Sequence, residues 1–165
     1  MMNKAVFLDR DGVINDGTLY YTYKINDFTF NQGVFEGLKL LQDSGFKLIV
    51  ITNQGGVAKG EYTIDDIELV HQFMRTELQK REIILDAIYY CPHHSDISQC
   101  ECRKPGTLII EQAIHKFNID TSKSYLIGDS ERDIIAAKKM GLIPIKTSKN
   151  ENIEPWCIKI AEGII

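Results

Sequence analysis

Asp9-Arg10-Asp11-Gly12 places two carboxylates two residues apart, directly after an apolar run. Where the chain is still roughly extended, side chains at i and i+2 face the same way. One carboxylate can then attack phosphorus while the other manages the leaving group's proton, the division of labour that covalent catalysis needs. Thr52-Asn53-Gln54-Gly55-Gly56 closes a second apolar run with a hydroxyl and a stretch of backbone N–H groups. That combination can hold phosphate oxygens as an anion-binding nest. Arg103-Lys104-Pro105-Gly106 brings two cations just ahead of a helical pattern, with Pro105 expected to set the helix entry. Lys104 suits a point contact to a transferring phosphoryl group, and Arg103 a two-pronged grip on a second anion. In Gly128-Asp129-Ser130-Glu131-Arg132-Asp133, Asp129 offers the hard oxygen ligand that Mg2+ takes alongside waters and phosphate. Asp133 either orients Lys104 or complements a helix N-terminus. Each run alone also reads as a turn, a Gly-rich loop or surface charge. Four of them in order, each at the end of an apolar run or just before a helix, argue for one site.

A second kind of chemistry lies between residues 91 and 102. Three of the four cysteines fall there, in Cys91-Pro92-His93-His94 and Cys100-Glu101-Cys102. A disulfide framework would spread its cysteines along the chain, so this clustering reads as metal ligation. Three thiolates with an imidazole from His93 or His94 make a closed tetrahedral set, a structural zinc site without an open position. Cys102 directly precedes Arg103-Lys104, so zinc would pin the loop that aims those cations. Cys157, beside Trp156, reads as a small buried hydrophobe.

The elements that must position these groups alternate between strand and helix, the pattern of a parallel sheet covered by helices. Ala5-Val6-Phe7-Leu8 and Leu48-Ile49-Val50-Ile51 are unbroken apolar runs, as expected of strands buried on both faces. Ala87-Ile88-Tyr89-Tyr90, Tyr125-Leu126-Ile127 and Ile143-Pro144-Ile145 are weaker versions. Helical spacing links Val34, Leu38 and Leu41, closed by Gly45, and then Ile67, Val70, Met74 and Leu78 behind the N-cap Thr63. Ile110, Ala113, Ile114 and Phe117 mark a third helix; Ile134, Ala137 and Met140, ended by Gly141, mark a fourth. The polar runs that follow strands belong at their carboxyl ends, where open parallel sheets form their ligand crevice.

At 165 residues there is room for one domain with a full core, and residues 1–165 are expected to form it. The net charge of -4 argues against a nucleic-acid binder. No apolar run is long enough to cross a bilayer, and the first residues lead straight into a strand pattern. A cytoplasmic location and a monomer acting on a small phosphorylated metabolite are expected. There is no Gly-x4-Gly-Lys-[Ser/Thr] loop to support ATPase chemistry.

With these runs assembled, the chain resembles the haloacid dehalogenase-type phosphatases over almost its whole length. The four motifs of that superfamily match Asp9 with Asp11, Thr52, Lys104, and Asp129 with Asp133. Phe7-Leu8-Asp9-Arg10-Asp11-Gly12, Thr52-Asn53-Gln54 and Cys102-Arg103-Lys104-Pro105 are similar to the small group containing histidinol-phosphate phosphatase and D,D-heptose 1,7-bisphosphate phosphatase. The resemblance implies an α/β fold, a Rossmann-like three-layer sandwich with a mostly parallel sheet, no large cap domain and a small zinc loop. It implies Asp9 as nucleophile, Asp11 as general acid and base, and Thr52 and Lys104 as stabilisers of the phosphoryl group. Asn53, Gln54 and Arg103 would bind substrate, and Asp133 would support Lys104. Catalytic Mg2+ would sit on Asp9, the Asp11 backbone carbonyl and Asp129. Structural Zn2+ would sit on Cys91, His93, Cys100 and Cys102, His93 being favoured over His94.

Asn53 to Gly60 and Asp86 to His94 look like the heptose enzyme, which implies removal of the 7-phosphate from D-glycero-D-manno-heptose 1,7-bisphosphate, in bacterial precursor synthesis for lipopolysaccharide or surface glycan. Arg103, with Lys59 at the rim, would meet the second phosphate. Two features depart from that enzyme: residues 15–21 lack its Asp-x-Gly-Tyr form, and the loop from His93 to Cys100 is short. A histidinol-phosphate phosphatase and a catalytically silent sugar-phosphate binder therefore stay open. The intact Asp9/Asp11 pair speaks against the silent one.

Overall fold

The computed structural model describes residues 1–165, and its centre is the run that begins the chain. Strand β1 (Ala5–Leu8) is buried at every residue and pairs in parallel with β2 (Lys47–Asn53) on one side and β4 (Tyr125–Gly128) on the other. Strands β3 (Ala87–Cys91) and β5 (Ile143–Lys146) add at the edges, giving the all-parallel order β3-β2-β1-β4-β5. Alternate residues of the central strands go to opposite faces. Val6, Leu8, Leu48 and Val50 join one core, and Ala5, Phe7, Ile49 and Ile51 the other.

Helices cover both cores. Helix α1 (Val34–Asp43), helix α2 (Ile64–Gln79) and helix α5 (Glu154–Ala161) supply the first face with Leu38, Leu41, Val70, Met74, Leu78, Cys157 and Ile160. Helix α3 (Leu108–Phe117) and helix α4 (Glu131–Lys139) supply the second with Ile109, Ile110, Ala113, Ala136 and Ala137. The result is the three-layer sandwich without a large cap that the sequence leads one to expect. No helix is long and apolar enough to cross a membrane.

Thr63 is the N-cap of α2, in a reciprocal capping box with Asp66. Thr63→Ala is expected to lower unfolding free energy by about 1 kcal/mol in urea titration. Two local expectations differ from the fold. Helix α3 starts at Leu108, with Thr107 as its N-cap, so Pro105 lies outside it. Gly106 N–H instead bonds the Arg103 carbonyl at 2.6 Å, closing a turn that presents Arg103 and Lys104 before the helix begins. Helix α5 has no counterpart among the expected helices. Ile153, Cys157 and Ile160 are buried at helical spacing, and Gly37 lets α1 approach because a Cβ there would lie 2.8 Å from the Cys157 sulfur.

Sheet order fixes where a site can form. The chain moves from β1 outward through β2 to β3, then returns to the other side of β1 for β4 and β5. The reversal lies between β1 and β4, and crevices in open parallel sheets open at such a point, beyond the strands' carboxyl ends. Asp9 follows β1 and Asp129 follows β4.

Candidate active site

A cleft of about 590 Å3 opens there, lined by Asp9, Asp11, Thr52, Asn53, Gln54, Arg103, Lys104, Asp129 and Asp133 among others. Lys104 is its hub. The ammonium is buried and donates to Asp9 Oδ1 at 2.9 Å, to Asp133 Oδ1 at 2.6 Å and to the Ile51 carbonyl at 2.9 Å. Burial alone would depress its pKa, but Asp9 and Asp133 hold it above the usual value. Asp133 does two jobs that the sequence leaves as alternatives. Its Oδ1 takes Lys104, while its Oδ2 accepts from Ser130 N–H and Oγ to cap α4.

Asp9, Asp129 and Asp133 bring carboxylate oxygens within 4.8 Å of one another. Both oxygens of Asp133 are committed, whereas Asp9 uses only Oδ1, for Arg10 N–H and Lys104, and Asp129 accepts from no other side chain. The Asp11 carbonyl accepts no hydrogen bond in the chain. Burial, then Asp133, push Asp9 up to about 7 against the pull of Lys104, and the same two causes raise Asp129. A divalent cation relieves such crowding, so Asp9, Asp129 and the free Asp11 carbonyl suit Mg2+ by charge and by hardness. Gly12, at φ +86°, completes this corner: a Cβ there would lie 2.2 Å from Asp129 Oδ2. Neither the backbone angle nor the carboxylate leaves room for another residue.

Asp11 is held from behind. Its carboxylate accepts from Arg10 Nε and NH2 at 3.0–3.3 Å, from Asn15 Nδ2 at 3.0 Å and from Gln54 Nε2 at 3.0 Å. Gln54 also donates to Thr52 Oγ1 at 2.9 Å and accepts from Tyr62 Oη at 2.7 Å. Expected to bind substrate, Gln54 thus spends its amide on Asp11, Thr52 and Tyr62. Asn53 likewise turns its side chain to the backbone of Lys104, donating to its carbonyl at 3.1 Å and accepting from its N–H at 2.9 Å.

Beyond the chemistry, the cleft is cationic. Arg103, Arg132 and Lys149 line it, and none of them forms an ion pair with a carboxylate. Lys59 does not line it; it pairs with Asp96 at 3.1 Å. Gly17 to Tyr21 form part of the wall, tied to the far end of the chain by Asn150, whose Oδ1 accepts from Gly17 N–H at 2.8 Å. No sequence pattern singles out Tyr62, Asn15, Arg132 or Lys149 for these places; Arg10 is marked only by its position between two carboxylates.

The cysteine cluster forms next door. Cys91, His93, Cys100 and Cys102 turn their ligand atoms to one point. Sulfur–sulfur distances from Cys100 are 3.6 Å to Cys91 and 3.5 Å to Cys102, and His93 Nδ1 lies 3.6 Å and 3.2 Å from Cys91 and Cys102. A tetrahedron with metal–sulfur bonds of about 2.3 Å has edges of about 3.8 Å, so these spacings suit zinc; Cys91 to Cys102 is shorter, at 2.7 Å. His94 stands outside, with Nδ1 accepting from Asp96 N–H. Arg103 NH1 donates to the His93 carbonyl at 3.2 Å, so the loop does tether this cation.

Comparison with known proteins matches this geometry. A family model described as HAD-hydrolase-like matches residues 101–150, the stretch from Glu101 through Lys104 and Asp129 to Asn150. Together, sheet order, strand-end carboxylates and this match define a haloacid dehalogenase-type phosphatase. The chain is 39% identical over 158 residues to the D-glycero-beta-D-manno-heptose-1,7-bisphosphate 7-phosphatase of Haemophilus ducreyi, covering 90% of this chain and 86% of that one. It is 40% identical over 168 residues to the enzyme of the same name from Escherichia coli, covering 93% and 87%. A crystal structure of D,D-heptose 1,7-bisphosphate phosphatase from B. bronchiseptica, complexed with magnesium and phosphate, superposes with a TM-score of 0.83 at 27% identity, over 94% of this chain and 85% of that one. The chain belongs to the D,D-heptose 1,7-bisphosphate phosphatase family.

Proposed function

We propose that residues 1–165 form one domain that removes the 7-phosphate of D-glycero-D-manno-heptose 1,7-bisphosphate through a phosphoryl-enzyme on Asp9. The observation that carries this is the composition of the cleft. One phosphate-transfer centre, Asp9 with Lys104, shares it with the free cations Arg103, Arg132 and Lys149, as a doubly phosphorylated sugar requires. Histidinol phosphate brings an imidazole and an ammonium instead, which three unpaired cations disfavour. The relatives named above act on the heptose bisphosphate, which supports the same reading.

In the first half-reaction an Asp9 oxygen forms a bond to phosphorus as the bond to the sugar oxygen breaks. Protonated Asp11 gives its proton to that oxygen, releasing a neutral hydroxyl. In the second, Asp11 takes a proton from water as the water oxygen bonds phosphorus and the Asp9–phosphorus bond breaks, so the site returns to its starting state. Thr52 Oγ1, the Asn53 N–H and Lys104 stabilise charge on the phosphoryl oxygens. Mg2+ held by Asp9, Asp129 and the Asp11 carbonyl would neutralise charge on the same oxygens. Asn53 and Gln54 are assigned to positioning Lys104 and Asp11. A monomer acting in the cytoplasm on this small charged substrate completes the reading.

The test compares kcat/KM for heptose 1,7-bisphosphate and histidinol phosphate in wild type and in Arg103→Ala. Wild type is expected to favour the bisphosphate by at least about 100-fold, and loss of a fork-shaped phosphate contact to cost about 10- to 100-fold on that substrate alone. Preference for histidinol phosphate, or an Arg103→Ala enzyme unchanged on the bisphosphate, would overturn the substrate while leaving Asp9 chemistry standing.

A further inference from the structure

Behind Asp11 lies a cation without contact to solvent. The Arg10 side chain is 0% exposed, and the partly exposed Asp11 is its only carboxylate partner. Its NH2 donates to Asp11 and, at 2.7 Å, to the Thr22 carbonyl, while its NH1 lies 3.2 Å from Nε2 of His71. A guanidinium has donors only, so that contact requires His71 Nε2 to be the acceptor and the imidazole to be neutral. Burial, reinforced by Arg10, holds the His71 pKa at about 3, in agreement with that tautomer. His71 sits on α2, is itself buried, and packs edge-on against Tyr90 of β3 with ring centroids 5.6 Å apart. It does not line the cleft.

Three fixed points thus define the guanidinium plane: the Asp11 carboxylate, the Thr22 carbonyl and the His71 nitrogen. Two of them, Thr22 and His71, do not line the cleft. Proton transfer needs donor and acceptor within hydrogen-bond reach, and displacement by about 1 Å costs on the order of 100-fold. Removing the acceptor at NH1 strands a buried N–H; a guanidinium that turns to relieve it shifts its contacts to Asp11, leaving Asn15 and Gln54 alone to hold that carboxylate.

We propose that His71 is a positioning residue for proton transfer: by accepting from Arg10 it fixes the guanidinium that aims Asp11 at the leaving oxygen. This rests on the reading of Asp11 as the acid and base, and the test separates the two. A sugar alkoxide leaves only when protonated, whereas nitrophenolate leaves as a stable anion. Since kcat/KM reports the steps up to departure of the alcohol, it isolates the half-reaction in which Asp11 acts as acid.

Measured on heptose 1,7-bisphosphate and on 4-nitrophenyl phosphate, His71→Leu is expected to lower the first kcat/KM about 100-fold and the second by less than about 3-fold. His71→Gln, whose carbonyl can accept from Arg10, is expected to restore most of the loss. Should His71→Leu not fold, His71→Met carries the same comparison, its thioether being too weak an acceptor to replace the imidazole. Equal losses on both substrates, no loss on either, or no rescue by glutamine overturn the proposal for His71. Asp11→Asn serves as the reference. If it too fails to separate the substrates, the assignment of Asp11 is wrong; if it separates them and His71→Leu does not, His71 alone is wrong.

Discussion

Asp9→Asn is expected to lower kcat by at least about 10^4-fold, with no phosphoryl-enzyme detectable by mass after rapid quench. The amide keeps the shape of the carboxylate. Its oxygen can still accept from Arg10 N–H and from Lys104, the two donors on Asp9 Oδ1. It cannot form a mixed anhydride with phosphate, and Lys104 keeps its second partner, Asp133, at 2.6 Å. The fold should not suffer. Asp9 titrates at about 7 in the metal-free site, above the usual 3.8, because burial and Asp133 oppose its charge. A carboxyl raised on folding favours the fold at pH below about 4 and loses that contribution as pH climbs through 7. At neutral pH and without metal, Asn therefore removes a destabilising charge, and Tm should be unchanged or higher. An Asp9→Asn enzyme with wild-type turnover would remove the covalent mechanism altogether.

Removing the metal from the cysteine loop is expected to have the largest effect on stability. One zinc per chain should be found by elemental analysis of protein purified without added metal. Chelation or Cys102→Ser should lower stability by at least about 3 kcal/mol, roughly 10 °C in Tm. The reasoning runs through burial. Cys91 is the last residue of β3, paired with Asn53 of β2, and Cys102 is buried against the core under α3. Losing the ion therefore loosens the end of an edge strand and the turn carrying Lys104, beyond the exposed loop between them. Because Arg103 is tied to the His93 carbonyl, kcat/KM on a bisphosphate should fall further than on 4-nitrophenyl phosphate. Protein without zinc, with four titratable thiols, would mean that the cluster is only packed cysteines.

Much of this was legible before any coordinates, because strand-end chemistry has a local signature. Ala5–Leu8 and Leu48–Ile51 are apolar without interruption, which happens when both faces of a strand are covered, and the polar residue that follows must face the crevice. Asp9, Thr52 and Asp129 do line the cleft, and it was the four runs taken together, with the family resemblance, that set them apart from ordinary turns. Residues that act through long-range partners have no such mark. His71 directly follows Val70 on the buried side of α2, and only its apolar neighbours carry the helical period. Lys59 and Arg132 are both basic residues, and nothing local to either says that Lys59 pairs with Asp96 while Arg132 lines the cleft. Gln54 follows a strand as a binding residue would, yet Tyr62 and Asp11 claim its amide. Helix α5 was hidden by its brevity, eight residues with a Pro in the first turn.

The central place of β1 has a consequence for synthesis. Phe7 pairs with Ile49 on one side and Leu126 on the other, so β1, made before both of its neighbours, gains the second only when β4 is made. A ribosome that has delivered residues through β2 and β3 has given Ala5–Leu8 one neighbour and left its other edge bare. Such an edge, apolar on both faces, invites pairing with any strand nearby, and nascent chains paused at this stage are natural clients for chaperones. The same order decides when the cleft is complete. Asp9 is translated 95 residues ahead of Lys104, the cation it pairs with, and Asp129 and Asp133 follow later still. A product that ends before β4 lacks Asp129 and Asp133, so under the mechanism proposed above ester cleavage waits until β4 has joined β1.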